Sequence, residues 1–263
     1  MPLPYRNIED VLMKELRLYH HPIAVTWLFT DEDVRAFAEK TPHCRPVKPL
    51  SFCQWEIAAR MQGKTVVGTR QDLDCSGAQV SFGWRDKNDP RHLKTLSRHC
   101  VDIDQTRRFM QAKPHMEADS LKAVAVGPLG AATVRPDVVH FYCDTMQAYH
   151  LSVDYMAATD NPALRPIMTG GAAACGGSVF SWREKTFNLC PACSGNFNSG
   201  KMERGEINVF IPGDQIEAVV DRLQFRIAET GSASITRPGD PFPGSDICKN
   251  CPQILFREVK QAE

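Results

Sequence analysis

The chain has 263 residues, 43% of them hydrophobic and 24% charged, an ordinary globular balance that suits one large domain or two small ones. Lys plus Arg and Asp plus Glu number 31 each, so the basic footprint of a nucleic-acid binder is missing. No stretch approaches the ~18 consecutive apolar residues of a membrane helix, and no basic region precedes an apolar run near Met1, so the expected compartment is the cytoplasm.

Apolar residues at Ile8, Val11, Leu12, Leu16 and Leu18 recur at a roughly helical period, and Pro22 ends that element. Residues 23–29 read as a buried strand. Asp31 to Lys40 reads as a short helix with Thr30 as its N-cap, and Ser51 caps another that runs to about Met61. A short strand follows at 65–69, and residues 89–112 are polar and mostly helical. In the second half, strands are expected at 122–126, stopped by Gly127-Pro128, and at 138–143 and 207–211. Helices are expected at 145–158, capped by Asp144, and at 215–228. The tail from Gly231 to Pro243 reads as loop. The fold class is therefore α/β, a mixed sheet flanked by helices. A core spans residues 1–230, and a metal-anchored, loop-rich tail spans 231–263.

Two stretches rhyme. Cys75-Ser76-Gly77 leads through a short apolar run to Trp84, and Cys175-Gly176-Gly177 leads similarly to Trp182. The match suggests a pseudo-duplication with halves at about 8–84 and 120–182, although so short a pattern can also arise by chance.

Ten cysteines are the anomaly, because a chain of this size in a reducing compartment has no need of disulfide staples. Cys190-Pro191-Ala192-Cys193 and Cys248-Lys249-Asn250-Cys251 are two CxxC turns. Each turn lets two sulfurs converge, and two together can complete a tetrahedral S₄ site for zinc or iron–sulfur. A whole strand and helix separate them, so the fold must bring them together. Two separate dithiols, or a redox pair, is the plainer reading. Cys44, Cys53, Cys75 and Cys175 are candidates for a second set. Gly176 and Gly177 belong to the most permissive backbone in the chain, where amides could approach a bulky cofactor or an anion. The same small residues would equally serve close packing of a helix start against a strand. Cys100 and Cys143 read as structural, and His92 and His99 as a solvated helical face rather than a minor metal site with Cys100.

Two other motifs fail. Gly195 to Lys201 matches the opening of a P-loop, but Met202 stands where Ser or Thr must hold magnesium. No Gly-x-Gly-x-x-Gly follows a strand, so a dinucleotide site has no support.

Phe52-Cys53, Asp72-Leu73-Asp74-Cys75-Ser76-Gly77-Ala78 and Val124-Ala125-Val126-Gly127-Pro128-Leu129 occur in an order that resembles the prokaryotic family known as domain of unknown function 169. Pro136-Asp137-Val138-Val139, the Gly-rich segment at Cys175 and Ile207 to Gly213 fit it too, so the likeness covers about Leu16 to Ala228. The resemblance implies an α/β fold and a prokaryotic, often anaerobic, source, with no settled activity. It places Cys53, Cys75, Cys175 and Cys193 at family positions and leaves Cys190, Cys248 and Cys251 as additions.

These readings converge on an iron–sulfur protein of anaerobic redox metabolism, serving a redox partner protein or a small-molecule substrate, with no nucleic acid and no membrane span. A homo-oligomer is left open. Two other readings stand beside it: a non-redox small-molecule or anion binder with structural zinc, and a thiol-based sulfur or metal carrier.

Overall fold

The computed structural model describes residues 5–197 and 200–230. Helix α1 (Tyr5–Glu15) buries Tyr5, Ile8 and Leu12, three or four residues apart on one face. Strand β1 (Ile23–Leu28) follows, then α2 (Asp31–Lys40). The α2 start is a capping box: the Asp33 amide donates to the Thr30 hydroxyl at 3.0 Å, and the Thr30 amide donates to the Asp33 carboxylate at 2.8 Å. Ser51 opens α3 (Phe52–Gln62), its amide donating to Gln54 at 2.9 Å, and Gly63 closes it at φ +66°. Next come β2 (Val66–Thr69), α4 (Ser76–Ser81), α5 (Pro90–Leu96) and α6 (Ile103–Ala112), the last capped by Asp102.

The second half holds β3 (Ala123–Pro128), β4 (Val138–Cys143), α7 (Thr145–Thr159), α8 (Ala173–Glu184) and β5 (Asn188–Cys190). It ends in α9 (Ser194–Phe197), β6 (Ile207–Pro212) and α10 (Ile216–Thr230). Asp144 caps α7 as its sequence suggests, accepting from the Met146 and Gln147 amides. Gly127 and Pro128 do not stop β3 as expected; they pair with Ala24 and Ile23 of β1. On the other flank β2 reaches only as far as Val126, so no ladder bond is asked of the proline there.

The six strands form one sheet in the order β2-β3-β1-β4-β6-β5, and every pairing is antiparallel. This corrects the expected mixed sheet. β1 and β2 do run in the same direction, as their intervening helices suggest, but β3 inserts between them and turns both contacts antiparallel. β6 does the same between β4 and β5. In chain order the first three strands take centre, edge and the place between; the last three do likewise. The halves meet at a short seam, Ile23↔His140, Ala24↔Val139 and Val25↔Val138.

Strand alternation divides the apolar side chains. Ile23, Val25, Trp27, Val124, Val126 and Phe210 share the main core cluster with residues of α3, α4 and α8. Leu28, Val67, Ala123 and Ala125 pack with Phe37 of α2. Gly177 of α8 lies so close to the sheet that a Cβ would stand 2.3 Å from the Phe210 ring, so this contact admits only glycine. Among the described residues, no helix is long and apolar enough to cross a membrane.

Candidate functional site

The three-strand pattern of each half puts cysteines at corresponding stations. Cys53 is the second residue of α3, between centre and edge strands, and Cys175 is the third residue of α8, between β4 and β5. Cys75 follows edge strand β2 and opens α4; Cys193 follows edge strand β5 and opens α9. The last two share a local structure. Each is followed by Ser-Gly, and each carbonyl accepts the amide four residues on, at 2.9 Å. A Cβ at Gly77 or at Gly195 would stand 4.0 Å from the sulfur two residues earlier in both turns.

The four thiols converge. Cys53 and Cys175 are buried in the main core cluster, and Cys75 and Cys193 pack on it. Burial pushes the Cys53 thiol well up, and Glu56, Cys193 and Cys75 push it further. Burial also pushes Cys175 well up, followed by Cys75, Cys53 and Cys193. Such mutual shifts require the sulfurs to lie within electrostatic reach of one another. Cys190, raised to about 12 by burial and then by Cys193, lies alongside with its sulfur 3.8 Å from the Ala173 carbonyl oxygen. All described cysteines are free thiols.

Cys75, Cys190 and Cys193 line a cavity of about 420 Å³. Its roof is the approach to α8, where Gly171 and Ala172 both adopt left-handed backbone, at φ +80° and +59°. For Ala172 that conformation stores about 1 kcal/mol or more of strain. The N-cap position of α8 offers no side-chain cap, so the first amides of this 12-residue helix keep their donor capacity beside Cys175. Lys113 lines the same cavity, is 3% exposed, and has no carboxylate or hydrogen-bond partner for its Nζ among the described residues. Burial lowers its pKa, while Cys175, Cys193, Cys75 and Cys100 raise it, in that order. A buried ammonium facing thiols is unfavourable while those thiols stay protonated, and becomes favourable once they are thiolates.

Behind Cys53 lies a buried polar network. Glu56, fully buried, accepts from the Tyr142 hydroxyl at 2.6 Å and pairs with His140 Nδ1 at 2.7 Å. His140 Nε2 meets Asn208 at 3.1 Å, and Asn208 donates to the Cys190 carbonyl at 3.2 Å. The Arg60 guanidinium stacks over Tyr142 at 4.0 Å and pairs with Glu206 at 2.9 Å. The network clamps α3 to β4 and β6 directly beneath the thiols.

Of the sequence candidates, Cys53, Cys75, Cys175 and Cys193 come together, with Gly176 and Gly177 in the cavity wall. Cys44 does not join them; it is exposed and its thiol faces the Thr65 carbonyl. Cys248 and Cys251 lie outside the described residues, so the expected meeting of the two CxxC turns falls there too. His92 corrects the solvated-face reading: it is 3% exposed and lines the cavity, whereas His99 is exposed at its rim. Lys113 and Glu56 went unnoticed in the sequence, although a glutamate one turn after Cys53 in an apolar helix, and a lysine before Pro114 at a helix end, were legible signals. Among the described residues, no three His, Cys, Asp or Glu side chains stand close enough to hold a single metal ion.

No curated protein matches the chain, and no solved structure matches it. The family described as uncharacterised ArCR, domain of unknown function 169, matches residues 11–222, and the chain therefore belongs to that family.

Proposed function

We propose that Cys53, Cys75, Cys175 and Cys193 ligate one iron–sulfur cluster and that the protein passes electrons through it. The observation that carries this reading is the mutual electrostatic reach of four thiols from four separate chain positions, three of which, Cys75, Cys175 and Cys193, also face the buried Lys113. Thiolates bound to iron are deprotonated and would supply the missing negative charge. The uncapped start of α8 adds amide donors and a positive dipole end.

The strand order, and the Cys-Ser-Gly turns at Cys75 and Cys193, support a duplicated ancestry in which each half supplies two ligands. In that pairing Cys53 corresponds to Cys175 and Cys75 to Cys193, a different alignment from the match of Cys75 with Cys175 that the sequence suggests.

Anaerobic purification and metal analysis test the assignment. The full chain should be brown, absorb near ~400 nm and carry about four irons and four sulfides, the stoichiometry of a Cys₄-held cube. Serine at any of the four positions should lose iron. Cys190→Ser, Cys248→Ser and Cys251→Ser should keep it; loss of iron in these three, with iron kept in the Cys53, Cys75 and Cys175 variants, would assign the metal to the CxxC turns. Zinc alone, bound regardless of these substitutions, would overturn the proposal.

A further inference from the structure

Two positive features meet at one end of the cavity. Lys113 is 3% exposed, lines the cavity, and has no carboxylate or hydrogen-bond partner for its Nζ among the described residues. A Cβ at Gly171, one residue before the Ala172 N-cap of α8, would stand 3.6 Å from that Nζ, so the ammonium lies beside the start of the helix. The Ala173, Ala174 and Cys175 amides there have no acceptor among the described residues. A buried ammonium and the positive end of a 12-residue helix repel each other, and one anion between them would satisfy both. Among the described residues, no aspartate or glutamate lines the cavity to take that place.

The rest of the lining sets the body of the ligand. Leu96, Phe109, Ile167 and Met168 form an apolar wall that begins one residue from the ammonium: a Cβ at Gly170 would stand 3.1 Å from the Phe109 ring. The polar side chains nearby are committed elsewhere or peripheral. Thr169 donates to the Gly171 carbonyl at 3.2 Å, Asn188 accepts the Ile167 amide at 2.8 Å, His99 is exposed at the rim, and both ring nitrogens of His92 are sealed inside the wall. A single ammonium balances one negative charge, and a second would be buried uncompensated. The cavity volume of about 420 Å³ lies within the range of small-molecule sites.

We propose that this cavity binds a monocarboxylate with an apolar chain or ring, one oxygen on Lys113, the other on the first amides of α8, and the body against Phe109 and Met168. The binding is non-covalent and involves no electron transfer. It goes beyond the cluster reading and needs no metal, because an ammonium has three N–H donors and one of them suffices for the carboxylate.

Octanoate is a suitable probe, with octanamide as its neutral counterpart and acetate as the head without the body. Calorimetric titration of the full chain should give saturable binding of one octanoate per chain. Octanamide should bind about tenfold more weakly or worse, the loss expected when a charge-assisted hydrogen bond is removed. Acetate should also bind more weakly, since it buries almost no apolar area. Lys113→Met should weaken octanoate by about tenfold or more. Met168→Glu, at an exposed position of the apolar wall, should weaken it by charge repulsion, and thermal melting verifies that each variant is folded. Absence of saturable octanoate binding below about 1 mM, equal binding of octanamide, or equal binding of octanoate by folded Lys113→Met would overturn the site. Acetate or inorganic phosphate binding as tightly as octanoate would overturn the apolar body of the ligand. Iron measured on the same sample keeps the two readings apart: binding without iron leaves the carboxylate site standing and removes the cluster, and iron without binding does the opposite.

Discussion

Replacing Lys113 with methionine separates the metal-free protein from the loaded one by the sign of its effect. Without a cluster, the Lys113 ammonium is buried with no carboxylate among the groups acting on it, and the thiol that acts on it most, Cys175, is itself pushed well up by burial and so stays protonated. Methionine has nearly the same length and no charge, and exchanging a poorly compensated buried charge for an apolar side chain stabilises by about 1–4 kcal/mol. Near the middle of that range, about 2 kcal/mol, a chain of this size should gain roughly 4–8 °C in melting temperature. The sign with pH follows from the depressed Lys113 pKa. The penalty is fully present below the folded-state pKa and fades as pH rises towards the ordinary 10.5, so the gain from Lys113→Met should shrink in alkaline buffer. With the cluster bound, the same substitution removes the only buried cation lining its cavity among the described residues with known burial, and should shorten cluster lifetime under air or chelator. Calorimetry of the metal-free chain at pH 7 and at pH 10, together with the decay of visible absorption in the loaded chain, measures both arms. Destabilisation of the metal-free protein, or an unchanged cluster lifetime, would refute the reasoning.

Other expectations follow from single contacts. The His92 pKa is held down to about 4 by burial first, then by Lys113 and Arg85, so the unfolded chain takes up the proton before the folded one; about 3 kcal/mol of stability should be lost between pH 6.5 and 4, and urea titrations of His92→Phe should show a flatter profile there. Glu56→Ala strands the Tyr142 hydroxyl and His140 in the core and should lower stability by about 3 kcal/mol or more, with Glu56→Gln intermediate, as read from urea midpoints. Gly177→Ala would drive a methyl into the Phe210 ring, and a loss of about 1–3 kcal/mol in the same assay is expected of that overpacking. Cys44→Ser, at an exposed thiol far from the group, should leave both iron content and stability unchanged.

The elements were legible where local chemistry fixes them. Thr30 and Asp144 announced their helices because a side-chain oxygen at a helix start can satisfy an orphan amide, and Ser51 did so through Gln54, whose side chain reaches back to accept the Ser51 amide. Strand pairing was less legible. The spacing of β1 and β2 implies a crossover, but nothing local says that β3 will slip between them, since insertion is decided by which faces are left unburied. β5 has only three residues and shows no alternation, and α8 was hidden because Gly176 and Gly177 look like loop until the sheet lies against them. The cysteines were visible as a group, but not their full set of neighbours. Cys193 reads as the mate of Cys190 at three residues' distance, and the fold keeps those two within electrostatic reach while also bringing Cys193 within reach of Cys53 and Cys175. Tertiary neighbours of a thiol cannot be counted along the chain.

The seam between the halves also sets a timetable for the protein's own manufacture. Cys53 and Cys75 emerge from the ribosome with the first three-strand unit, but Cys175 and Cys193 emerge only with the second. At 5–20 residues per second, the nearly 120 residues between Cys75 and Cys193 take about 6–24 s to synthesise. During that interval a nascent chain presents half a set of thiols with no opposite pair and no Gly171–Ala172 roof. Loading before release would expose an incomplete cofactor to oxidant or to the wrong metal. Delivery of the proposed cluster should therefore follow closure of the three-pair seam between β1 and β4, which makes the ladder that joins the two groups of strands the checkpoint for maturation.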